Sequence, residues 1–198
     1  MSTASAPPTP LPLSCTAFAG NTRLTSGALG EVAIAVHHAG GEAGVVVFDD
    51  TSGKVIDLDF RGGDAAIRRR YQPVETSPEP SPERSRGRPK LGVVAREITL
   101  LPRHWDWLGA QPGGASVALR KLVEGALRAN LDHDRVRAAK EATYRFISAM
   151  AGNEPGFEEA TRALFAGNAD RFAAETEAWP TDVRDYARLR AADCFETK

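Results

Sequence analysis

The sequence has only two cysteines, Cys15 and Cys194, which stand near opposite ends of its 198 residues with no Cys-x-x-Cys spacing. Neither a disulfide framework nor a thiolate zinc site is indicated, and a reducing cytoplasm fits such sparse usage. No stretch approaches the ~20 consecutive apolar residues that a membrane span requires. Met1 to Pro12 carry no Lys or Arg and no long apolar run, so the parts of a secretory signal are missing. These absences predict a soluble protein of the cytoplasm with no membrane partner. The sequence also lacks a Gly-x-Ser-x-Gly elbow, a phosphate loop and a dinucleotide fingerprint, and His37, His38, His104 and His133 show no metal-ligand spacing. No catalytic residue, cofactor or metal site is therefore expected, and the protein is not expected to be an enzyme.

What is present is a composition close to the globular average, 42% hydrophobic and 26% charged, with a formal net charge of -1. The near-zero total hides strong local asymmetry, and it is local charge that decides the choice of partner. Residues 1–12 are rich in Ser, Thr, Pro and Ala and are read as a disordered tail. Residues 13–72 predict a small α+β domain. Within it, Cys15 to Leu24 is broken by the hairpin signal Gly20-Asn21, and Ser26-Gly27 opens a helix carrying Leu29, Val32, Ala33 and Val36. Val45 to Phe48 and Val55 to Phe60 predict a second hairpin, with Ile56, Leu58 and Phe60 on a dry face, and a helix around Ala65 to Tyr71 closes the unit.

Residues 73–90 form a Pro-rich linker that changes sign along its length, from Glu75, Glu79 and Glu83 to Arg84, Arg86, Arg88 and Lys90. After it, residues 91–131 predict a strand from Val93 to Leu101, a helix from Pro102 to Ala110 and a second helix from Ser116 to Asn130 with Ser116 as its N-cap. Residues 132–194 predict a helical domain with helices at Arg135–Met150, Phe157–Phe165, Arg171–Trp179 and Thr181–Ala192. Tyr144, Ile147 and Met150 would form one stripe. Phe157, Leu164, Phe165, Phe172, Trp179, Val183 and Tyr186 would supply a core of its own or a face packed on the preceding unit. The predicted fold class is α+β.

Arg86-Gly87-Arg88-Pro89-Lys90 is similar to the AT-hook core, an extended segment that lies in the minor groove of A·T-rich DNA. Glycine permits close backbone approach, proline favours an extended chain, and arginine is drawn into the negative potential of a narrow groove. Arg84 extends the same arm. The bland alternative is a solubilising linker end.

Residues 93–130 resemble the ribbon-helix-helix family. The resemblance rests on Arg96-Glu97-Ile98-Thr99-Leu100-Leu101-Pro102, on Trp105 and Leu108, on the turn Gly113-Gly114-Ala115-Ser116, and on Leu119, Leu122, Val123 and Ala126. It implies a homodimer in which two strands pair into a ribbon that enters the major groove, with two helices per chain forming the dimer core. The dimerisation residues would be Ile98, Leu100, Trp105, Leu108, Leu119, Leu122 and Val123. Arg96 and Thr99 would face DNA, and the helix start at Ser116 would hold a phosphate. The strand has two possible phases. Either Arg96 lies with Val94, Ile98 and Leu100 on the core face and Glu97 with Thr99 points outward, or Arg96 faces DNA beside exposed Ile98 and Leu100. Trp105 and Trp107 cannot share a helix face; Trp105 is the expected core residue and Trp107 the candidate for an interface.

Four longer passages resemble a bacterial family, domain-of-unknown-function family 2239, over most of the chain. They are Gly87 to Glu97, Leu101 to Trp105, Gln111 to Ser116 and Phe146 to Gly152. The resemblance implies fold boundaries and no activity. Asp49, Asp50, Asp57 and Asp59 could be read as a carboxylate cluster, but Asp50 belongs to a turn and Asp57 with Asp59 to the wet face of a strand, while Glu158, Glu159, Asp170, Glu175 and Glu177 read as a solvated negative surface. The expected function is DNA binding in the cytoplasm, at the nucleoid, by a dimeric regulator or nucleoid-associated protein. The N-terminal and C-terminal regions would serve sensing, assembly or partner contact. The alternative is a protein-interaction module that dimerises without DNA.

Overall fold

A computed structural model of the protein describes residues 13–40, 44–71 and 94–195. The expected tail at 1–12, the linker at 73–90 and its basic arm lie outside the described residues. The described elements are β1 (Ser14–Ala19), β2 (Thr22–Ala28), α1 (Leu29–His38), β3 (Val45–Asp49), α2 (Gly63–Tyr71), α3 (Pro102–Gly109), α4 (Gly114–Met150), α5 (Phe157–Ala166), α6 (Ala169–Glu175) and α7 (Thr181–Phe195). The class is α+β. The chain divides into two compact units, Met1–Pro73 with His133–Lys198 and Val74–Asp132.

In the first unit, β1 is the central strand of a three-stranded antiparallel sheet of order β2-β1-β3. Gly20, at φ 54, turns the β1–β2 hairpin. The chain does not leave β2 at Ser26-Gly27 as expected. The ladder pairs Cys15 with Gly27 and Ser14 with Ala28, so the backbone groups at 26–28 are held in the sheet and α1 starts only at Leu29. Cys15, Thr16, Ala17 and Phe18 are all buried, so both faces of β1 are covered, as a central strand between two apolar layers requires. Cys15 and Ala17 pack with Val32 and Val36 of α1 and Val47 of β3. On the other face Phe18 and Phe48 meet Phe146 of α4 and Tyr186 of α7, with ring centroids 5.4 Å apart for Phe18–Phe146, 5.0 Å for Phe48–Phe146 and 4.5 Å for Phe146–Tyr186. Each of these buried rings contributes about 1.5–3 kcal/mol of transfer free energy.

The segments expected as separate N-terminal and C-terminal domains thus share one core, in which Phe18 and Phe48 join Ile147, Leu164, Phe172, Trp179, Val183 and Ala187. The expected strand at 55–60 is reduced to a single bridge between Val55 and Phe48. After the Ile56 N–H donates to Val47 O at 2.8 Å the chain turns toward α2, although Ile56, Leu58 and Phe60 still pack against the α1 cluster as their alternation predicts. Tyr144, expected on one stripe with Ile147 and Met150, and Phe165, expected in the core or on a packed face, are exposed. They lie 5.6 Å apart by ring centroids, while Ala142, Thr143, Phe146 and Ile147 form the buried stripe of α4. The expected helix at 171–179 ends at Glu175. There Thr176 caps it, its Oγ1 donating to Phe172 O at 2.9 Å, and Trp179 turns inward so that its Nε1 donates to Pro155 O at 2.9 Å.

The two helices expected at 116–130 and 135–150 are one, α4. Leu131-Asp132-His133-Asp134 contains neither proline nor glycine, and Asp or His costs an interior turn only a few tenths of a kcal/mol. An Arg137–Asp134 ion pair at 2.8 Å supports the same turn.

Candidate functional site

The second unit contains the residues singled out for DNA binding and dimerisation, of which Arg84, Arg86, Gly87, Arg88, Pro89 and Lys90 lie outside the described residues. Residues 94–100 do not form the expected strand. A strand requires a neighbour for its backbone donors and acceptors, and none of the described residues of this chain pairs with the segment. Arg96, Ile98 and Thr99 are exposed and Leu100 is half-buried.

Leu101, extended at φ -66 and ψ 149, precedes Pro102, whose fixed φ starts α3. Leu108 is the residue α3 buries, whereas Trp105 and Trp107 are 41% and 53% exposed, so Trp105 is not the core residue expected. Gln111 Nε2 donates to Trp107 O at 3.2 Å, and Gly113 and Gly114, at φ 89 and 74, then reverse the chain into α4. A Cβ on Gly113 would come within 3.1 Å of the Val117 side chain, which fixes glycine there. Since α4 begins at Gly114, Ser116 lies inside its first turn and is not the N-cap.

From Lys121 to His133 every residue of α4 is exposed, on all sides of the helix. The apolar ones are nevertheless ordered. Leu119, Val123, Leu127 and Leu131 recur every four residues, with Leu122 and Ala126 beside them, and form one ridge along the helix. Leu122, Val123, Leu127 and Leu131 are each more than half exposed. Arg120, Lys121, Glu124, Gly125 and Arg128 line a shallow groove on the opposite side, with Arg128 and Glu124 paired at 3.1 Å. Among its described residues the unit therefore presents an extended segment with no pairing partner, an apolar ridge and exposed arginines and lysines.

The family model for uncharacterized proteins conserved in bacteria, DUF2239, matches residues 14–191. The chain belongs to that family. No curated protein and no solved structure matches it. The DUF2239 match runs through both units and includes the Arg84–Lys90 arm, the extended segment and α4.

The first unit of this DUF2239 protein contains polar groupings that the sequence reading placed in solvent. Asp50 accepts hydrogen bonds from Ser14 Oγ at 2.7 Å, Thr16 Oγ1 at 2.8 Å and Tyr186 Oη at 2.6 Å, so it is a half-buried hydrogen-bonding junction rather than a fully solvated turn residue. Only the Asp-Thr-Ser-Gly turn was legible; the hydroxyl donors come from β1 and from 136 residues downstream. Asp49 caps its own turn, accepting from Thr51 N at 2.8 Å and Ser52 Oγ at 2.5 Å. Asp59 pairs with Arg61 at 2.7 Å and Arg70 at 3.6 Å, and the Arg61 hydrogen bonds hold its carboxyl well below the usual carboxylate range. Asp57 is exposed, as expected.

Burial pushes the Cys15 thiol up to about 12, with the charges of Asp50 and Asp49 adding to the effect, and burial also raises Cys194. Both are protonated, unreactive packing residues at neutral pH. Among the described residues no three His, Cys, Asp or Glu side chains converge as a metal site would require, and no helix is long and apolar enough to cross a membrane.

Proposed function

We propose that the protein is a dimeric DNA-binding protein, a ribbon-helix-helix-type regulator or a nucleoid-associated protein, with the Arg84–Lys90 arm contacting the minor groove. One observation carries this reading. Among the described residues, a strand-length segment without a pairing partner and an uncovered apolar ridge occur in the same small unit, and a second copy of that unit supplies what both lack. Two copies of 94–100 satisfy each other's backbone groups as an antiparallel ribbon, and two ridges cover each other. Leu119, Leu122 and Val123 then become dimer-core residues together with Ile98, Leu100, Trp105 and Leu108.

The charge of the surrounding sequence supports a polyanionic partner. From Arg84 to Lys121 the chain carries eight Lys or Arg against two Asp or Glu. On a paired ribbon whose core face carries Ile98 and Leu100, Thr99 meets the major groove, Arg96 taking that place only in the opposite strand phase, and the first turn of α4 at Ser116 meets a phosphate.

Fluorescence anisotropy of A·T-rich and G·C-rich duplexes tests the reading, with wild type compared to Arg86→Ala/Arg88→Ala. The expected result is tight binding that prefers A·T and weakens in the variant. If neither duplex binds at low salt, DNA binding is refuted, and the same unit is then an assembly module that dimerises alone.

A further inference from the structure

The first unit carries a second cationic surface, at the end of α2. Ile67 anchors the helix in the core, leaving Arg68 and Arg69 exposed. Hydrogen bonds lock the preceding loop onto the same turn: Arg70 donates to Asp59 O at 2.6 Å and to Arg61 O at 3.2 Å, and the Asp59 N–H donates to Tyr71 Oη at 2.5 Å. Arg61, Arg68, Arg69 and Arg70 are thereby gathered at one end of a short helix. Asp59 alone serves both Arg61 and Arg70, while Asp64, at the other end of α2, is engaged by His38 at 2.8 Å. Arg68 and Arg69 have no carboxylate within ion-pair distance among the described residues. Elsewhere in this unit Arg145, Arg162, Arg171, Arg184 and Arg188 each pair with an acidic neighbour. Cations in a last turn complement the helix dipole, but that effect does not call for Arg61, which precedes the helix and whose side chain is 89% exposed.

We infer that this end of α2 binds the phosphodiester backbone of a nucleic-acid duplex, as a contact surface on the first unit additional to the arm and ribbon. The inference rests on the DNA-binding reading above. Guanidinium groups match phosphate oxygens in a two-point fork, and phosphates carry no sequence information, so this surface contributes affinity without base preference.

The test is the salt dependence of duplex binding for the full chain, comparing wild type with Arg68→Ala/Arg69→Ala and with Arg68→Lys/Arg69→Lys. Both positions are exposed and outside the core, and an unchanged thermal melt confirms that each variant is folded. Each phosphate contact contributes roughly 0.9 to the slope of log affinity against log salt, so with two chains per duplex the alanine variant removes four contacts and loses about 3.6 from the slope, equally on A·T-rich and G·C-rich duplexes. The lysine variant keeps the slope. If the alanine variant keeps the wild-type slope and affinity, this surface is excluded while the arm and ribbon reading stands. If the wild type itself binds no duplex at low salt, both fall together.

Discussion

Tyr186 and Asp50 are 136 residues apart in the chain and 2.6 Å apart in the structure, with the Tyr186 hydroxyl donating to Asp50 Oδ1. The bond ties α7 to the turn that follows β3, and the same carboxylate also accepts from Ser14 and Thr16 of β1. A half-buried carboxylate is tolerated when its lone pairs are occupied by donors, and here three hydroxyls from two distant parts of the chain occupy them. The ring of Tyr186 is also part of the aromatic cluster of Phe18 and Phe146. One residue therefore closes both the apolar and the polar halves of the contact.

Tyr186→Phe keeps the ring and removes the donor. A hydrogen bond to a charged acceptor is worth about 1.5–3 kcal/mol, and urea melts at neutral pH are expected to show a loss of that size. The pH profile carries a second expectation. Burial, and then Asp50, raise the Tyr186 hydroxyl above its ordinary value, so its stabilisation is complete below about pH 10 and is lost as pH rises further. Cys15, raised from 9.0 to about 12, acts in the same direction. Stability should hold to about pH 9 and then fall steeply, and the fall should be shallower in the phenylalanine variant. A parallel profile with an unchanged melt would show that the bond contributes nothing.

Gly53 sits in the turn after β3 with φ 66, and a Cβ there would lie 2.1 Å from the Ala142 carbonyl of α4. Gly53→Ala is expected to cost about 2–4 kcal/mol, combining a left-handed backbone with a main-chain overlap. Gly20→Ala is the control. Gly20 also has a positive φ, 54, but open space around it, so only the conformational cost of about 1–2 kcal/mol is expected. Equal losses at the two sites in calorimetry would contradict the packing of this turn on α4.

Single substitutions at exposed positions usually change stability by less than about 0.5 kcal/mol. Leu122 and Leu127 are more than half exposed in the single chain, so Leu122→Glu/Leu127→Glu should be nearly silent if the protein is a monomer. If the α4 ridge is covered by a second copy, the same change buries like charges at the contact, and sedimentation equilibrium should shift from dimer to monomer.

Periodicity and turn chemistry made most of the local structure legible. The Gly20-Asn21 hairpin, α1 with Val32 and Val36 inward, α2, α3 opening on Pro102, and the α5 and α7 segments all follow from residues close in sequence. Pairings between distant parts of the chain were not legible. Nothing near Asp50 announces Tyr186, and nothing near Asp59 announces that Arg70 returns to it. The merging of two helices into α4 was missed because Asp132-His133-Asp134 reads as polar punctuation, though it carries no residue that breaks a helix. The apolar ridge was half read. Leu119, Leu122, Val123 and Ala126 stand out in the sequence, but Leu127 does not, and an expected helix end at Asn130 leaves Leu131 off the ridge. Residues 94–100 show the converse case. Their alternation reads as a strand, yet a strand is a property of a pair, and the described residues supply only one member.

The most direct measurement of the central claim is the stoichiometry of the full-length protein on a short A·T-rich duplex, by sedimentation velocity at low and at high salt. The account predicts a complex of two chains per duplex at low salt that dissociates as salt rises, leaving a free protein dimer. A sedimenting species with one chain per duplex would contradict the paired ribbon. Free duplex and free protein at every salt concentration would contradict DNA binding altogether.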